Sequence, residues 1–132
     1  MPHLVRLAHT YSIVAYDAVA QQLGVAVQSH YFSVGSVVPW LEPGVGAVAT
    51  QSFVEASYGP LGLALLKAGK TPAQALAALT AADPKQERRQ VALVDIHGNV
   101  AAHTGARCIP AAGHRTGGGY SVQANLMLRD TV

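Results

Sequence analysis

The pattern of hydrophobic residues becomes regular at residue 10, where β-branched and aromatic side chains predict strands. The first two strands are expected over residues 10–16 and 23–30, joined by a polar connection of hairpin length. Residues 31–44 contain two glycines and two prolines, and we expect irregular structure there. A third strand is predicted over residues 45–51, where small residues on both faces indicate burial on both sides.

The middle of the chain has the signals of two short helices. Residues 57–69 begin with a Gly-Pro entry, carry leucines at helical spacing and close on Gly69. The second helix has Thr71 as its N-cap, Pro72 at the first helical position and Gln74 completing a capping box. Asp83 and the proline after it end this helix.

Strands return in the last third of the chain. Residues 89–96 and 100–105 flank a His-Gly-Asn turn, which indicates a hairpin. A glycine-rich loop over residues 111–119 then leads to a strand predicted over residues 120–128. Strands and helices are segregated along the chain and do not alternate, which is typical of an α+β fold with an antiparallel sheet.

Length and composition limit the classes of protein that remain. The 132 residues suit one domain, and a chain with 50% hydrophobic and 12% charged residues is not disordered. A net charge of +2 gives no reason to expect a nucleic-acid partner. No apolar run has the length of a membrane helix and no secretory signal is evident, so we expect a cytoplasmic protein without a membrane partner.

The residue types that usually hold metals and cofactors show no recognised spacing. The six histidines form no paired helical motif, and Gly117, Gly118 and Gly119 fit neither phosphate-loop pattern. We therefore expect neither metal nor cofactor. Arg88 and Arg89 are expected on a solvated loop edge paired with Glu87.

Two other residues, Asp95 and Cys108, have a chemical interpretation beside a structural one. Asp95 ends an apolar strand; it either orients a nearby donor or, as we expect, caps its own hairpin. Cys108 is the single cysteine. It is either a small buried hydrophobe or, paired with His103 beside Arg107, a reactive thiolate. The second interpretation would make the protein a thiol enzyme.

Thr10 opens the first strand, with Ser12 on the same face two residues later. A threonine becomes a nucleophile when its own freed α-amino group serves as the base. The pKa of that amine is about 7.7–8.0, so the amine can accept the hydroxyl proton. Such chemistry would require cleavage between His9 and Thr10.

Seven ordered blocks of sequence carry a resemblance to a known family. They are TYSIVA (residues 10–15), GVAVQSHYFSVGSVVPW (24–40), GVGAVATQ (44–51), YGPLGL (58–63), RQVALVD (89–95), TGARC (104–108) and GHRTGGGYSVQAN (113–125). Together they resemble the uncharacterised proteins grouped as domain of unknown function 1028, which is placed in the N-terminal-nucleophile (Ntn) hydrolase superfamily. The resemblance covers the chain from residue 10 nearly to its end.

This resemblance implies an αββα sandwich and a hydrolase of amide or other C–N bonds. Thr10 stands at the position of the nucleophile, so residues 1–9 are expected to be a leader or propeptide-like segment before a single domain over residues 10–132. Ser29 and His30 correspond to a residue near the nucleophile's amine. Gly46 and Ala47 are expected to offer backbone N–H groups to an oxyanion.

The remaining implied roles concern the substrate, an unknown small molecule. Gln51 and Asn125 are expected to orient the substrate or the acyl intermediate through their amides. Cys108, in the TGARC block, is assigned with Gln51 to the substrate-binding residues.

A final expectation follows from the length of the chain. Family members are expected to continue past the QAN motif, so the second helical layer of the sandwich would be truncated here. The sheet face left bare would then be covered by a second copy in a homo-oligomer. The alternative to a hydrolase is a non-catalytic ligand-binding or assembly module on the same scaffold.

Overall fold

Eight strands and two α-helices make up residues 9–131, the part of the chain that the structure, a computed structural model, describes. The strands are β1 (Thr10–Asp17), β2 (Gln22–Gln28), β3 (Pro39–Glu42), β4 (Gly46–Ser52), β5 (Arg89–Asp95), β6 (Val100–Thr104), β7 (Gly113–Gly117) and β8 (Tyr120–Asn125). The helices are α1 (Tyr58–Lys67) and α2 (Pro72–Ala82), and short 3₁₀ turns cover Val34–Ser36 and Gln86–Arg88. The α+β class predicted from the sequence is confirmed.

The strands form two antiparallel sheets of four strands each. Sheet A has the order β2-β1-β8-β7, and sheet B has the order β3-β4-β5-β6. In sheet A, Thr10 of β1 lies opposite Asn125 of β8, which places the start of β1 next to the end of β8. Both predicted hairpins are present, β1–β2 and β5–β6.

Two strands lie where the sequence predicted irregular structure. β3 begins at Pro39 in the segment predicted as irregular, and β7 occupies part of the glycine-rich loop. Each is the edge strand of its sheet. An edge strand pairs on one side only, so it tolerates the proline and the glycines that argue against a central strand.

The two helices pack on the face of sheet B that points away from sheet A. α2 begins as its sequence predicts: the Thr71 hydroxyl accepts a hydrogen bond from the Gln74 backbone N–H at 3.2 Å. The Gln74 side chain accepts from the Thr71 backbone N–H at 3.0 Å. α1 packs on β3 and β4, and α2 packs on β5 and β6. Among the described residues, helices cover sheet B alone.

Alternation along the central strands of sheet B divides the interior into two layers. Val48 of β4 and Leu93 of β5 face the helices and pack with Leu63, Leu66 and Leu79. The neighbouring positions face sheet A and are small. They are Ala47, Ala49, Ala92 and Val94, and they pack with Val14 of β1. The many alanines of the sequence thus allow the two sheets to approach closely.

A buried ion pair links the helical layer to the start of β5. Arg89 Nε lies 2.7 Å from Asp83 Oδ2, and the Tyr58 hydroxyl donates to the same oxygen at 2.9 Å. Arg89 also donates through Nη1 to the Phe53 carbonyl at 2.8 Å. The expectation that Arg89 lies on a solvated loop edge with Glu87 is wrong, because the packing of α1 and α2 over β5 buries its side chain. Glu87 instead lies 3.7 Å from Arg107.

The Asp83 carboxylate should make unfolding depend on pH in the acid range. Its hydrogen bond from Arg89 lowers its pKa from 3.8 to about 2. The stabilisation is complete above the unfolded-state pKa and is lost as pH falls through about 2. We expect the free energy of unfolding, measured by urea denaturation, to fall by on the order of 1 kcal/mol between pH 5 and pH 2, after allowance for solvent screening. In Asp83→Asn this part of the pH dependence should vanish, and an unchanged profile would contradict the assignment.

The face of sheet A that points away from sheet B carries large apolar side chains in contact with solvent. Tyr11, Ile13 and Tyr120 are 50%, 37% and 43% exposed, and Tyr11 and Ile13 lie on the central strand β1. Such a face is the surface on which the predicted homo-oligomer would form. None of the described helices is long and apolar enough to cross a membrane.

We expect the substitution Ile13→Glu to dissociate the predicted oligomer, because a charge would then lie in the interface between the two copies. Light scattering at micromolar concentration measures the change in mass. Val19→Glu is the matched control, since Val19 is 96% exposed in the turn after β1. A folded monomer before any substitution would refute the oligomer.

Candidate active site

A cavity opens at the end of the sandwich where β1 begins and where β2, β4 and β8 end. Its volume is about 560 Å³, within the range of small-molecule sites. Polar side chains from these strands reach it, namely Thr10, His30, Gln51, Ser52 and Asn125. The structure therefore brings together four residues that the sequence assigned to the site: Thr10, His30, Gln51 and Asn125.

Thr10 lies between two neighbours on the inner face of sheet A. Its Oγ1 lies 2.7 Å from Ser29 Oγ, which follows directly after β2. On its other side Asn125 is its register partner, and directly opposed residues have Cβ atoms about 4.5–5.5 Å apart on the same face. The Ser29 hydroxyl also accepts from the Tyr31 backbone N–H at 3.1 Å. Ser29 therefore joins the four residues at the cavity through its contact with Thr10.

Behind Thr10, glutamine side chains from both sheets form a buried hydrogen-bond network. Gln51 of β4 donates through Nε2 to Gln90 Oε1 at 2.8 Å, and Asn125 of β8 donates through Nδ2 to the same oxygen at 3.1 Å. The Gln90 Oε1 atom thus accepts a hydrogen bond from each of the two side-chain amides that line the cavity, those of Gln51 and Asn125. All three side chains are almost completely buried.

The orientation of the Gln90 amide follows from backbone atoms. Its Nε2 lies 3.0 Å from the carbonyl oxygens of both Gly113 and Ala124, which accept hydrogen bonds and cannot donate them. Its Oε1 must therefore be the atom that faces Gln51 and Asn125. The same argument fixes the amide of Asn125, whose Nδ2 points at Gln90.

A second part of the network links Ser12 and Gln123 with Gln51. The Ser12 hydroxyl donates to Gln51 Oε1 at 2.7 Å and accepts from Gln123 Nε2 at 2.6 Å, while Gln123 Oε1 accepts from Ser121. No buried side-chain N or O atom of the described residues lacks a partner. A network satisfied in this way makes the floor of the cavity rigid.

The walls of the cavity are mainly apolar. They come from the 3₁₀ turn after β2, from the segment after β4 and from the segments before β7 and after β8. These residues are Val34, Val37, Val38, Phe53, Val54, Ile109 and Leu126. At its mouth, Tyr31 and Phe53 are 63% and 46% exposed.

Left-handed backbone marks two of the strand ends that reach the cavity, those of β4 and β8. Ser52 directly follows Gln51 and has φ 69°, and Leu126 directly follows Asn125 and has φ 55°. Residues other than glycine rarely adopt this conformation, which costs about 1 kcal/mol or more and persists where the surroundings enforce it. Both turns lead the chain away immediately after a buried amide, so the backbone is bent where the amides are presented.

Gly46 and Ala47 do not reach this cavity. They begin β4, whereas Gln51 and Ser52 end it, and five residues of strand span about 16 Å. The absence of a side chain at Gly46 has another use, because a Cβ there would lie 2.4 Å from the Val94 carbonyl oxygen and 2.7 Å from Leu66. Ala47 packs between the sheets. The oxyanion role expected for this pair is therefore not available at Thr10.

Comparison with known proteins defines the family. The sequence model of a family described as "Family of unknown function (DUF1028)" matches residues 10–132. The chain belongs to DUF1028. Its fold matches the crystal structure of protein SPO2555 from Silicibacter pomeroyi, described with the same family, with a TM-score of 0.86 and 28% identity. That match covers 90% of this chain and 53% of SPO2555, so the chain spans about half the length of its relative. No curated protein matches.

In this DUF1028 chain, Cys108 and His103 do not form the thiolate–imidazole pair that the sequence suggested. The Cys108 thiol donates to the Arg89 carbonyl at 3.1 Å, and His103 Nε2 lies 2.9 Å from the Gln86 carbonyl. Burial raises the pKa of the Cys108 thiol, which favours its unreactive form. Cys108 also lies outside the residues lining the cavity, although its neighbour Ile109 is among them.

Asp95 has the structural role that its position indicated. Its Oδ1 accepts from the backbone N–H groups of His97 and Asn99, and its Oδ2 accepts from the Asn99 side chain. Across the described residues, no three His, Cys, Asp or Glu side chains come together as metal ligands.

His114 continues the network away from the cavity. Thr104 Oγ1 lies 3.0 Å from Gln90 Nε2 and 2.8 Å from His114 Nδ1. Burial, followed by the nearby His103 and Arg115, lowers the pKa of His114 and favours its neutral ring.

Sequence reasoning missed the central residues of this network, Gln90 and Gln123. Both stand in strands, and their types give no signal until the fold places them between two sheets. An available signal was the alternation of β5, in which Gln90 shares a face with Ala92 and Val94 that is otherwise apolar. A glutamine on such a face needs buried partners.

We expect Gln90→Leu to lower the free energy of unfolding of this DUF1028 protein by about 2–4 kcal/mol, because the Asn125 donor and two backbone carbonyls lose their partner. Urea denaturation measures the loss. Gln22→Leu, at an exposed glutamine beginning β2, is the control and should change stability by about 0.5 kcal/mol or less. Equal effects in the two variants would show that the network contributes nothing specific.

Proposed function

We propose that this DUF1028 protein is an amide hydrolase of the Ntn type, with Thr10 as the N-terminal nucleophile. The observation that carries the proposal is the environment of Thr10. Thr10 is the first residue of β1, and its hydroxyl lies 2.7 Å from the Ser29 hydroxyl. It lines a cavity that the buried amides of Asn125 and Gln51 also line. The family match begins at this same residue.

The reaction requires that the peptide bond between His9 and Thr10 be cleaved, so that Thr10 carries a free amine. The amine then takes the proton from Thr10 Oγ1 as this oxygen bonds to the carbonyl carbon of the substrate. The C–N bond of the substrate breaks and the leaving amine receives that proton. Water then hydrolyses the ester on Thr10, releasing a carboxylic acid and restoring the hydroxyl.

Ser29 is proposed as a positioning residue for the nucleophile. Its hydroxyl accepts from the Tyr31 backbone N–H, so its own proton is available to Thr10 Oγ1. A hydrogen bond donated to Oγ1 would orient one lone pair and leave the Thr10 proton directed elsewhere, toward the amine. His30, which follows Ser29 and lines the cavity, is proposed to contact the substrate from the rim.

The αββα architecture belongs to the same proposal. Sheets A and B with α1 and α2 are three layers in that order, and a second helical layer would lie on the exposed face of sheet A. The relative SPO2555 has nearly twice the matched length, which leaves chain for such a layer in that protein.

A non-catalytic binding module is the second candidate, and the contact of His9 favours it. The His9 ring contacts the Leu126 carbonyl at the edge of the cavity, so the residue before Thr10 has its own place in the fold. With the His9–Thr10 bond intact, the nitrogen of Thr10 is an amide and cannot accept a proton. The cavity would then bind its ligand without reaction.

Intact-mass measurement of the purified chain distinguishes these two candidates. The hydrolase predicts loss of residues 1–9 and a single acyl adduct when the chain is treated with a β-lactone, an electrophile that acylates hydroxyl nucleophiles. The substitution Thr10→Ala should abolish the adduct, whereas Thr116→Ala, at an exposed threonine of β7, should retain it. An unprocessed chain that forms no adduct would overturn the proposal in favour of the binding module.

A further inference from the structure

The charges around the Thr10 cavity restrict the ligand that it accepts. The described residues that line it include no Asp, Glu, Lys or Arg. Two arginines lie near Phe53. The buried Arg89 lies 2.7 Å from Asp83 and 3.8 Å from Glu55, and the Arg88 guanidinium lies 5.7 Å from the Phe53 ring centre. An ionised group inserted against the apolar walls would lose its water without gaining an Asp, Glu, Lys or Arg side chain as a partner, and that loss is expensive.

The apolar wall offers compensation to an uncharged ligand. Val34 and Val38 come from one segment, and they form a lining with Ile109 and Leu126, which come from two others. Burying apolar ligand surface against them contributes roughly 25 cal/mol per Å². An aliphatic group is therefore the part of a ligand that this wall stabilises.

One polar atom on the floor of the cavity has a fixed character. The Nδ2 atom of Asn125 donates to Gln90 Oε1, and backbone carbonyls fix that arrangement. Within the described residues, no fully buried side-chain oxygen lacks a partner and no hydrogen bond is made to Asn125 Oδ1, so this oxygen borders the open cavity. It can only accept, and its complement on a ligand is an N–H group.

We infer that the substrate class of this site is an uncharged aliphatic amide that carries an N–H, held with its acyl chain against the valine wall. The inference rests on the proposed function for the identity of the bond that reacts. The carbonyl carbon would face Thr10 Oγ1, while the amide N–H donates to Asn125 Oδ1. Thr10 and Asn125 are register partners on β1 and β8, so they lie close enough to contact the adjacent carbonyl carbon and nitrogen of one amide.

A panel of three p-nitroanilides tests the charge preference with one leaving group. The acyl groups are 4-methylpentanoyl, succinyl and 4-aminobutanoyl, which are similar in length and are neutral, anionic and cationic. For the purified protein, processed at Thr10, we expect kcat/KM to be at least tenfold higher for the neutral anilide than for either charged one. A Thr10-dependent activity that favours a charged acyl group would overturn the inference while leaving the proposed function in place.

Binding to Thr10→Ala tests the same inference without any reaction. By NMR titration, 4-methylpentanamide should bind at least tenfold more tightly than succinamate or 4-aminobutanamide, and about fivefold more tightly than methyl 4-methylpentanoate, which has no N–H. Should no anilide be cleaved, the proposed function fails, and this comparison alone decides the inference. Equal binding of neutral and charged amides, or no binding of 4-methylpentanamide, would overturn it.

A cation placed in the wall should reverse the preference. Ile109→Lys is expected to raise the affinity for succinamate relative to 4-methylpentanamide by at least tenfold, and Val34→Lys makes the same test from another segment if the first variant does not fold. Val19→Lys, in the exposed turn after β1, is the matched control and should leave the ratio unchanged. An unchanged ratio in both wall variants would place the ligand outside this cavity and overturn the inference.

Discussion

A single buried side-chain amide, that of Gln90, determines how the candidate site is built. Its Nε2 is held by two backbone carbonyl oxygens, so its Oε1 is directed at Gln51 and Asn125. All of these contacts except the one to Gln51 cross from sheet B to sheet A, and the group replaces apolar packing at the end of the sandwich where Thr10 lies. The other end of the same interface is filled by Ala47, Ala92 and Val94. The sandwich thus has an apolar end that supports packing and a polar end that presents hydrogen-bonding groups.

The central elements could be predicted from the sequence because local signals and tertiary environment agree there. The fully buried β5 contains a continuous apolar run over residues 91–94, and α2 has a complete capping box. β3 and β7 could not be predicted, since edge strands owe their conformation to one neighbouring strand and tolerate proline and glycine. Arg89 was placed wrongly because its partners Asp83 and Phe53 reach it only through the packing of the helices.

The site shows the same division between local and tertiary information. Thr10, Ser29, His30, Gln51 and Asn125 were assigned through the resemblance to a family, and the fold gathers them at one cavity. Gly46 and Ala47 were expected there too, but they lie at the far end of β4, where small residues serve close packing. Small residues in a strand therefore have two explanations, oxyanion access and close approach of layers, and only the fold separates them.

The uncharged lining of the cavity also bears on the end of a catalytic cycle. Hydrolysis of a neutral amide by the proposed route yields a carboxylic acid, which ionises at neutral pH. The carboxylate would find no Lys or Arg among the described residues that line the cavity. A wall that stabilises the neutral substrate thus destabilises the charged product at the same position. By the proposed route, the charge formed on the product would favour its release.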